Sequence, residues 1–293
     1  MSFSVGAVFK KYPKLRRVLK FSLPLFALLF LYGFVYEPHL CLVVKKWEIP
    51  AAHWSKDLDE LKIALVSDIH MGSFPFEERR VRRVVEAVNA QKPDLIALGG
   101  DFVNGHRWNT GCDLEKLAAI LKDLKAPLGV FAVTGNHDMR YGESAIPTAL
   151  SKVGIKFLQN ESAKIHSKRG DFYVAGIGSM SKTRYSIARA LLNVPRGASC
   201  IFLVHEPDLM PALPLKASVV LSGHTHGGQV ALPLIGPLIR PETMDFGARD
   251  GLFVNYRGIP MLVSRGVGTS NMGVRFLTKP QIEIIELKSA KKN

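Results

Sequence analysis

The strongest constraint on this chain is a pattern used five times: a short run of aliphatic and β-branched residues that ends in Asp, Asn or His. Leu61–Ser67 leads into Asp68-Ile69-His70, and Leu95–Gly99 leads into Gly100-Asp101. Gly129–Thr134 leads into Gly135-Asn136-His137-Asp138, Ile201–Val204 into His205, and Ala217–Ser222 into Gly223-His224-Thr225-His226. Apolar runs of this length, bounded by Gly and polar residues, predict buried strands. Polar groups at the carboxyl ends of neighbouring strands meet in one crevice, the usual ligand position of an open α/β sheet. Carboxylate, amide and imidazole donors together suit a divalent metal, and there are too many here for one ion. Two close metals sharing a carboxylate form a clamp for in-line displacement at phosphorus.

The ordered set D-x-H, G-D, G-N-H-D, H and G-H-T-H resembles the calcineurin-like metallophosphoesterase superfamily, over roughly Leu61 to Leu287. Val204–Asp208, Leu221–Gln229 and Ser264–Ser270 further resemble the bacterial branch of membrane-associated phosphodiesterases of the YkuE/YaeI type. The resemblance implies an α/β protein with a four-layer α/β/β/α sandwich. It also implies hydrolysis of a phosphodiester or pyrophosphate by a hydroxide between two metals. Carried over position by position, Asp68, His70, Asp101 and His226 hold the first metal. Asp101, Asn136, His205 and His224 hold the second, with Asp101 bridging. Manganese is the expected ion, with iron and zinc as alternatives.

His137 is expected to protonate the leaving oxygen as a general acid. Where the wider family has G-D-x-x-D-R, this chain has Asn104 at the place of the carboxylate that would pair with His137. Asp138 either supports His137 or caps the next segment. His224 and His226 are spaced as x and x+2 on an extended segment, and so are Asp68 and His70. Gly223 allows the backbone to turn and approach closely.

Strand–helix alternation predicts βαβ units as far as Ile155, with helices over Phe74–Gln91, Cys112–Lys125 and Glu143–Val153. The first carries Arg79, Arg80, Arg82 and Arg83 on its outer face. Beyond Ile155, strands are expected at Ala163–His166, Phe172–Ile177, Gln229–Leu232, Leu252–Tyr256, Pro260–Ser264 and Ile282–Leu287, with a helix at Tyr185–Asn193.

Phe21–Tyr36 is an uncharged run of 16 residues behind six cations between Lys10 and Lys20. It reads as an uncleaved membrane anchor, since the cluster of cations suits no core helix. The positive-inside bias puts the catalytic domain outside the cytoplasm; a shallow insertion with the enzyme inside is the alternative. The expected organisation is a basic tail over 1–20, an anchor over 21–44, a linker over 45–60, the catalytic domain over 61–287 and a basic tail over 288–293. Much of the net charge of +14 lies in those tails, which argues against a nucleic-acid groove. Three cysteines make no disulfide framework.

Leu232–Arg240 is a loop by its Pro and Gly yet carries five Leu or Ile residues. It either packs over the core or forms an apolar lip that meets an acyl chain or the membrane. Arg265 and Arg275 either hold a substrate phosphate or order their own loop. The expected partners are a phosphate ester, lipid-linked by this reading, and a membrane. The alternative substrate is the UDP-diacylglucosamine of lipid A synthesis, cleaved at its pyrophosphate. The alternative from another class is a non-catalytic metal-binding scaffold.

Overall fold

Strands that are apolar on both faces must be covered on both faces, and this chain meets that demand by stacking two sheets between helices. The computed structural model describes residues 13–72, 77–105, 111–181, 185–238 and 250–290. Lys10, Lys11, Arg240, Lys291 and Lys292 lie outside the described residues. The strands are β1 Val43–Ala51, β2 Lys62–Val66, β3 Leu95–Leu98, β4 Val130–Ala132, β5 Ile155–Phe157, β6 Glu161–Ser167 and β7 Gly170–Gly176. They continue with β8 Cys200–Leu203, β9 Val219–Ser222, β10 Ala231–Leu232, β11 Gly236–Pro237, β12 Gly251–Val254, β13 Pro260–Val263 and β14 Gln281–Ser289. The helices are α1 Pro13–Leu31, α2 Glu37–Leu40, α3 Glu77–Ala90, α4 Leu114–Leu121, α5 Asn136–Tyr141, α6 Ala145–Ser151 and α7 Ile187–Ala190.

One sheet runs in the order β1-β14-β2-β3-β4-β5 and the other β12-β13-β9-β8-β7-β6. In β2, Ile63 and Leu65 face the other sheet while Ala64 and Val66 face helices. The inter-sheet core adds Leu95 and Phe131 from one side and Val174, Ile201, Leu203 and Leu221 from the other. A second core joins the first sheet to α3 and α4 through Val81, Val84, Val88, Leu117 and Leu121. A third covers the outer face of the second sheet with Leu191, Val194 and Leu209. This is the expected four-layer α/β/β/α sandwich. β2 runs parallel to β3, β3 to β4, and β8 to β9, so their carboxyl ends share one edge.

Residues 45–60, read as a linker, instead carry most of β1, which pairs in parallel with β14 over nine positions. Lys45 and Lys46 interrupt the apolar alternation, and the partner strand lies more than two hundred residues away, so no local signal marks this strand. The Trp47 indole donates to Glu283 at 2.6 Å and pins the pair. Arg80, expected on an outer face, is buried and donates to the Ile69 carbonyl at 2.7 Å. That carbonyl has left the sheet ladder, and a guanidinium replaces the lost donor.

Lys20–Leu40 is long and apolar enough to cross a membrane, at a mean hydropathy of 1.4. Phe21, Leu23, Leu25, Phe26 and Leu28 on α1 are exposed. The far end of this segment is docked on the domain. After α1 a wide helical turn, Tyr32–Tyr36, places buried Gly33 so close that a Cβ would lie 3.2 Å from Val274. The Arg275 amide donates to the Gly33 carbonyl at 2.9 Å. Tyr32 meets Phe276 edge-on with centroids 5.3 Å apart. Glu37 is wholly buried, and its carboxylate accepts the amides of Leu277, at 2.8 Å, and Thr278.

Hydrogen bonds to a buried carboxylate leave two unpaired amides when it is removed. Glu37→Ala is therefore expected to cost about 2–4 kcal/mol. Thermal unfolding in detergent checks this, with a lowered midpoint expected for Glu37→Ala and a smaller change for the exposed Leu25→Ala.

Candidate metal centre

The five expected motifs do leave the carboxyl ends of β2, β3, β4, β8 and β9, but not as extended segments. Asp68, His70, Asp101, His224 and His226 all take positive φ, between 46° and 72°. Left-handed backbone at non-glycine residues costs of order 1–3 kcal/mol each. The conformation folds each side chain back over the strand ends within two residues, which an extended x, x+2 arrangement does not do. Hydrogen bonds hold it: the Asp68 amide donates to Gly100 and the His70 amide to Asp101, each at 2.9 Å. Gly223 serves close approach rather than a turn, because a Cβ there would fall 1.9 Å from Ser67 Oγ.

The structure brings all seven expected ligands to one place. His226 Nε2 lies 3.4 Å from Asp68 Oδ1 and 3.0 Å from His70 Nε2. His205 Nε2 lies 3.2 Å from Asp101 Oδ2 and 3.2 Å from Asn136 Oδ1. His224 Nδ1 is 3.1 Å from that same amide oxygen and 3.3 Å from His205 Nε2. Asp101 Oδ2 is also 3.4 Å from His70 Nε2, so it stands between the two groups. The His205 Nδ1–H donates to the Gly99 carbonyl at 2.7 Å, which fixes the ring and aims the Nε2 lone pair inward, the arrangement a metal-binding histidine needs.

Burial raises the cost of charge on the Asp101 carboxylate, but His205 and His137 outweigh it and hold the group well below the usual range. Burial likewise pushes the His205 imidazolium down, yet the Asp101 carboxylate outweighs it and holds the ring well above its usual value. His224 and His226 are pushed down by burial and stay neutral. Carboxylate, amide and imidazole donors converging at 3.0–3.4 Å fit divalent ions once His205 gives up its proton.

His137 sits edge-on to His70 with centroids 4.6 Å apart. Its amide donates to Asp101 Oδ1 at 2.8 Å, and its ring Nδ1 meets the Asn104 backbone carbonyl, not a side-chain carboxylate. Burial pushes its pKa down to about 4. Asp138 takes the capping role. Its carboxylate accepts the amides of Gly135 and Asp101 at 2.9 Å and of Phe102 at 2.8 Å.

A cleft of about 740 Å³ opens on these residues, with Arg140, Glu206, Ser270 and Met272 in its wall. Sequence reading missed Arg140, although it lies only three residues past His137. It missed Glu206 as well, whose carboxylate accepts Ser179 Oγ and the Met180 amide. Arg275 is fully buried and donates to the carbonyls of Gly268 and Thr278 at 2.8 Å and Arg265 at 2.9 Å, so it orders its loop. Arg265 pairs with Asp250 at 2.8 Å.

The family model described as calcineurin-like phosphoesterase matches residues 61–228. The chain is 29% identical over 258 residues to the uncharacterized metallophosphoesterase YkuE of Bacillus subtilis, across 86% of this chain and 87% of that one. It is 32% identical over 253 residues to an uncharacterized metallophosphoesterase of Aquifex aeolicus, across 84% and 92% of the two chains. It is 30% identical over 233 residues to the phosphodiesterase YaeI of Escherichia coli, across 77% and 82%.

Asp101→Ala is expected to abolish metal binding at both positions, which elemental analysis of the purified variant reads directly; two ions per chain would remove the shared carboxylate. Loading a metal must also displace the proton that Asp101 holds on His205, so binding weakens as pH falls. Calorimetry at neutral pH in buffers of different ionisation heat should show proton release. A binding heat independent of buffer would show that His205 carries no proton to displace.

Proposed function

We propose that this chain, which belongs to the calcineurin-like phosphoesterase family and is a metal-dependent phosphoric ester hydrolase, acts on a phosphodiester or pyrophosphate attached to a lipid. The observation that carries this reading is one loop with two contacts. At Ser270–Met272 it lines the metal cleft. At Val274–Thr278 it grips Gly33 and Glu37 at the end of the apolar helix. An enzyme whose cleft wall is continuous with its anchor is well placed for substrates of the same membrane. In this reading the exposed apolar part of α1, ahead of the docked turn at Gly33, lies in the membrane, with the basic residues before it on the cytoplasmic side and the catalytic domain outside.

Asp68, His70, Asp101 and His226 would hold one ion and Asp101, Asn136, His205 and His224 the other, with manganese the expected species. Such ions supply Lewis acidity and acidify a bound water. The remaining work falls to the chain's own groups. Asp68 accepts the His224 amide at 3.0 Å, which fixes both ligands relative to each other. Arg140 offers a cation on the cleft wall to a phosphoryl oxygen. Burial lowers the His137 pKa to about 4, and an anionic substrate beside the ring would favour the imidazolium that a leaving oxygen needs.

Turnover by manganese-loaded full-length protein of phospholipids, nucleotide-sugar lipids and simple diesters tests the reading. Lipid substrates are expected to be preferred, and turnover of soluble diesters alone would overturn the lipid assignment. In the same assay His137→Ala should slow alkyl diesters by about 10²–10⁴-fold and nitrophenyl diesters far less, because an acidic leaving oxygen needs no general acid. Equal slowing of both would make His137 a positioning residue.

A further inference from the structure

The loop after the G-H-T-H motif forms a hairpin that the metal centre does not use. β10 and β11 pair Leu232 with Gly236, which puts Leu234 and Ile235 at the tip. Leu234 is fully exposed and Ile235 is 66% exposed. A tip of this kind buries nothing of its own, so it contributes nothing to the core that would explain its apolar residues. Its root rests on Phe276: the Ala231 amide donates to the Phe276 carbonyl at 2.8 Å, and the Phe276 amide donates to Gln229 at 3.0 Å. Phe276 in turn packs on Tyr32, at the end of the apolar helix. Exposed Met272 stands on the cleft wall beside it, and its carbonyl accepts the Gln229 side-chain amide at 3.0 Å. The same helix end carries cations on another side: Arg83 donates to the His39 carbonyl at 2.8 Å, with Arg79 and Arg82 exposed nearby on α3.

We propose that the Ala231–Pro237 hairpin, with the exposed side chains of Met272 and Leu277, is a membrane-seating surface that inserts into the leaflet from which α1 emerges and brings the cleft mouth to the headgroup layer. The occupant is a lipid bilayer, because the surface is continuous with the apolar helix through Phe276 and Tyr32. A lipid phosphate then reaches the metals by moving sideways, without leaving the membrane. The inference rests on the membrane placement and the metal cleft proposed above.

The test uses the full chain with Cys41→Ser, since Cys112 and Cys200 are buried. An environment-sensitive fluorophore on Ile235→Cys is compared with one on Leu192→Cys, an exposed site away from the hairpin. Both proteins are reconstituted in phosphatidylcholine and phosphatidylglycerol vesicles with or without brominated acyl chains. A blue shift and loss of emission at 235 but not at 192 is expected. Unquenched emission at 235 in floated vesicles, as solvent, a second copy or a protein partner on the hairpin would give, overturns the proposal. Failure to float overturns it too. Leu234→Ser with Ile235→Ser should lower turnover of vesicle lipid relative to a soluble diester by about tenfold or more, equivalent to about 1.4 kcal/mol. An unchanged ratio would argue against seating. A quenched probe on a protein that cleaves no lipid supports the seating surface and removes the lipid-substrate reading instead.

Discussion

The candidate metal centre depends on one buried carboxylate that lies outside the proposed ligand set. Asp138 gathers the amides of Gly135, Asp101, Phe102 and Val103, and so ties the end of β3 to the end of β4. Burial, reinforced by the Asp101 charge, pushes its pKa up to about 7. That cost is accepted because four backbone donors have left their strands at this point and would otherwise be unpaired. With those amides fixed, Asp101 can hold a left-handed backbone and present its carboxylate to both histidine groups. Gly135 is required beside it, since a Cβ there would fall 2.1 Å from Asp101 Oδ1.

Rigidity around the site comes from both directions. The inter-sheet core lies directly beneath the strand ends, and the outer cores clamp each sheet from the far side. Two buried arginines then serve carbonyls that the sheet ladders no longer reach. Arg80 takes Ile69, and Arg275 takes Gly268, Thr278 and Arg265. Arg80 replaces one lost backbone donor and Arg275 three, and their burial is why neither is available to a substrate phosphate. A preorganised set of donors is what metal binding and charge stabilisation in a transition state both require.

The loop that follows β13 links this centre to the membrane-compatible helix. Its backbone passes the cleft at Ser270, crosses under Gly33 at Arg275 and is capped by Glu37 at Thr278. The N-terminal segment is therefore part of the domain's packing. β1 extends that attachment into the first sheet, where it covers the open edge of β14.

The composition of single segments determined much of this. An apolar run followed by Asp, Asn or His is a local statement, and local statements are what a sequence holds: the strands near Lys62–Val66, Leu95–Leu98 and Val219–Ser222, and the ligand-type residues after them, were legible residue by residue. The four-layer order was expected from the family resemblance carried by the ordered motifs, not from any one strand. What the sequence could not hold was anything set by partners far apart along the chain. β1 is a strand only because β14 lies beside it, and Arg80 turns inward only because the Ile69 carbonyl needs a donor. Asp68, His70 and Asp101 adopt left-handed backbone only because distant amides and carbonyls repay the strain. The tertiary structure alone decided these, since each depends on a hydrogen bond or close approach whose two ends come together only after the sheets have stacked.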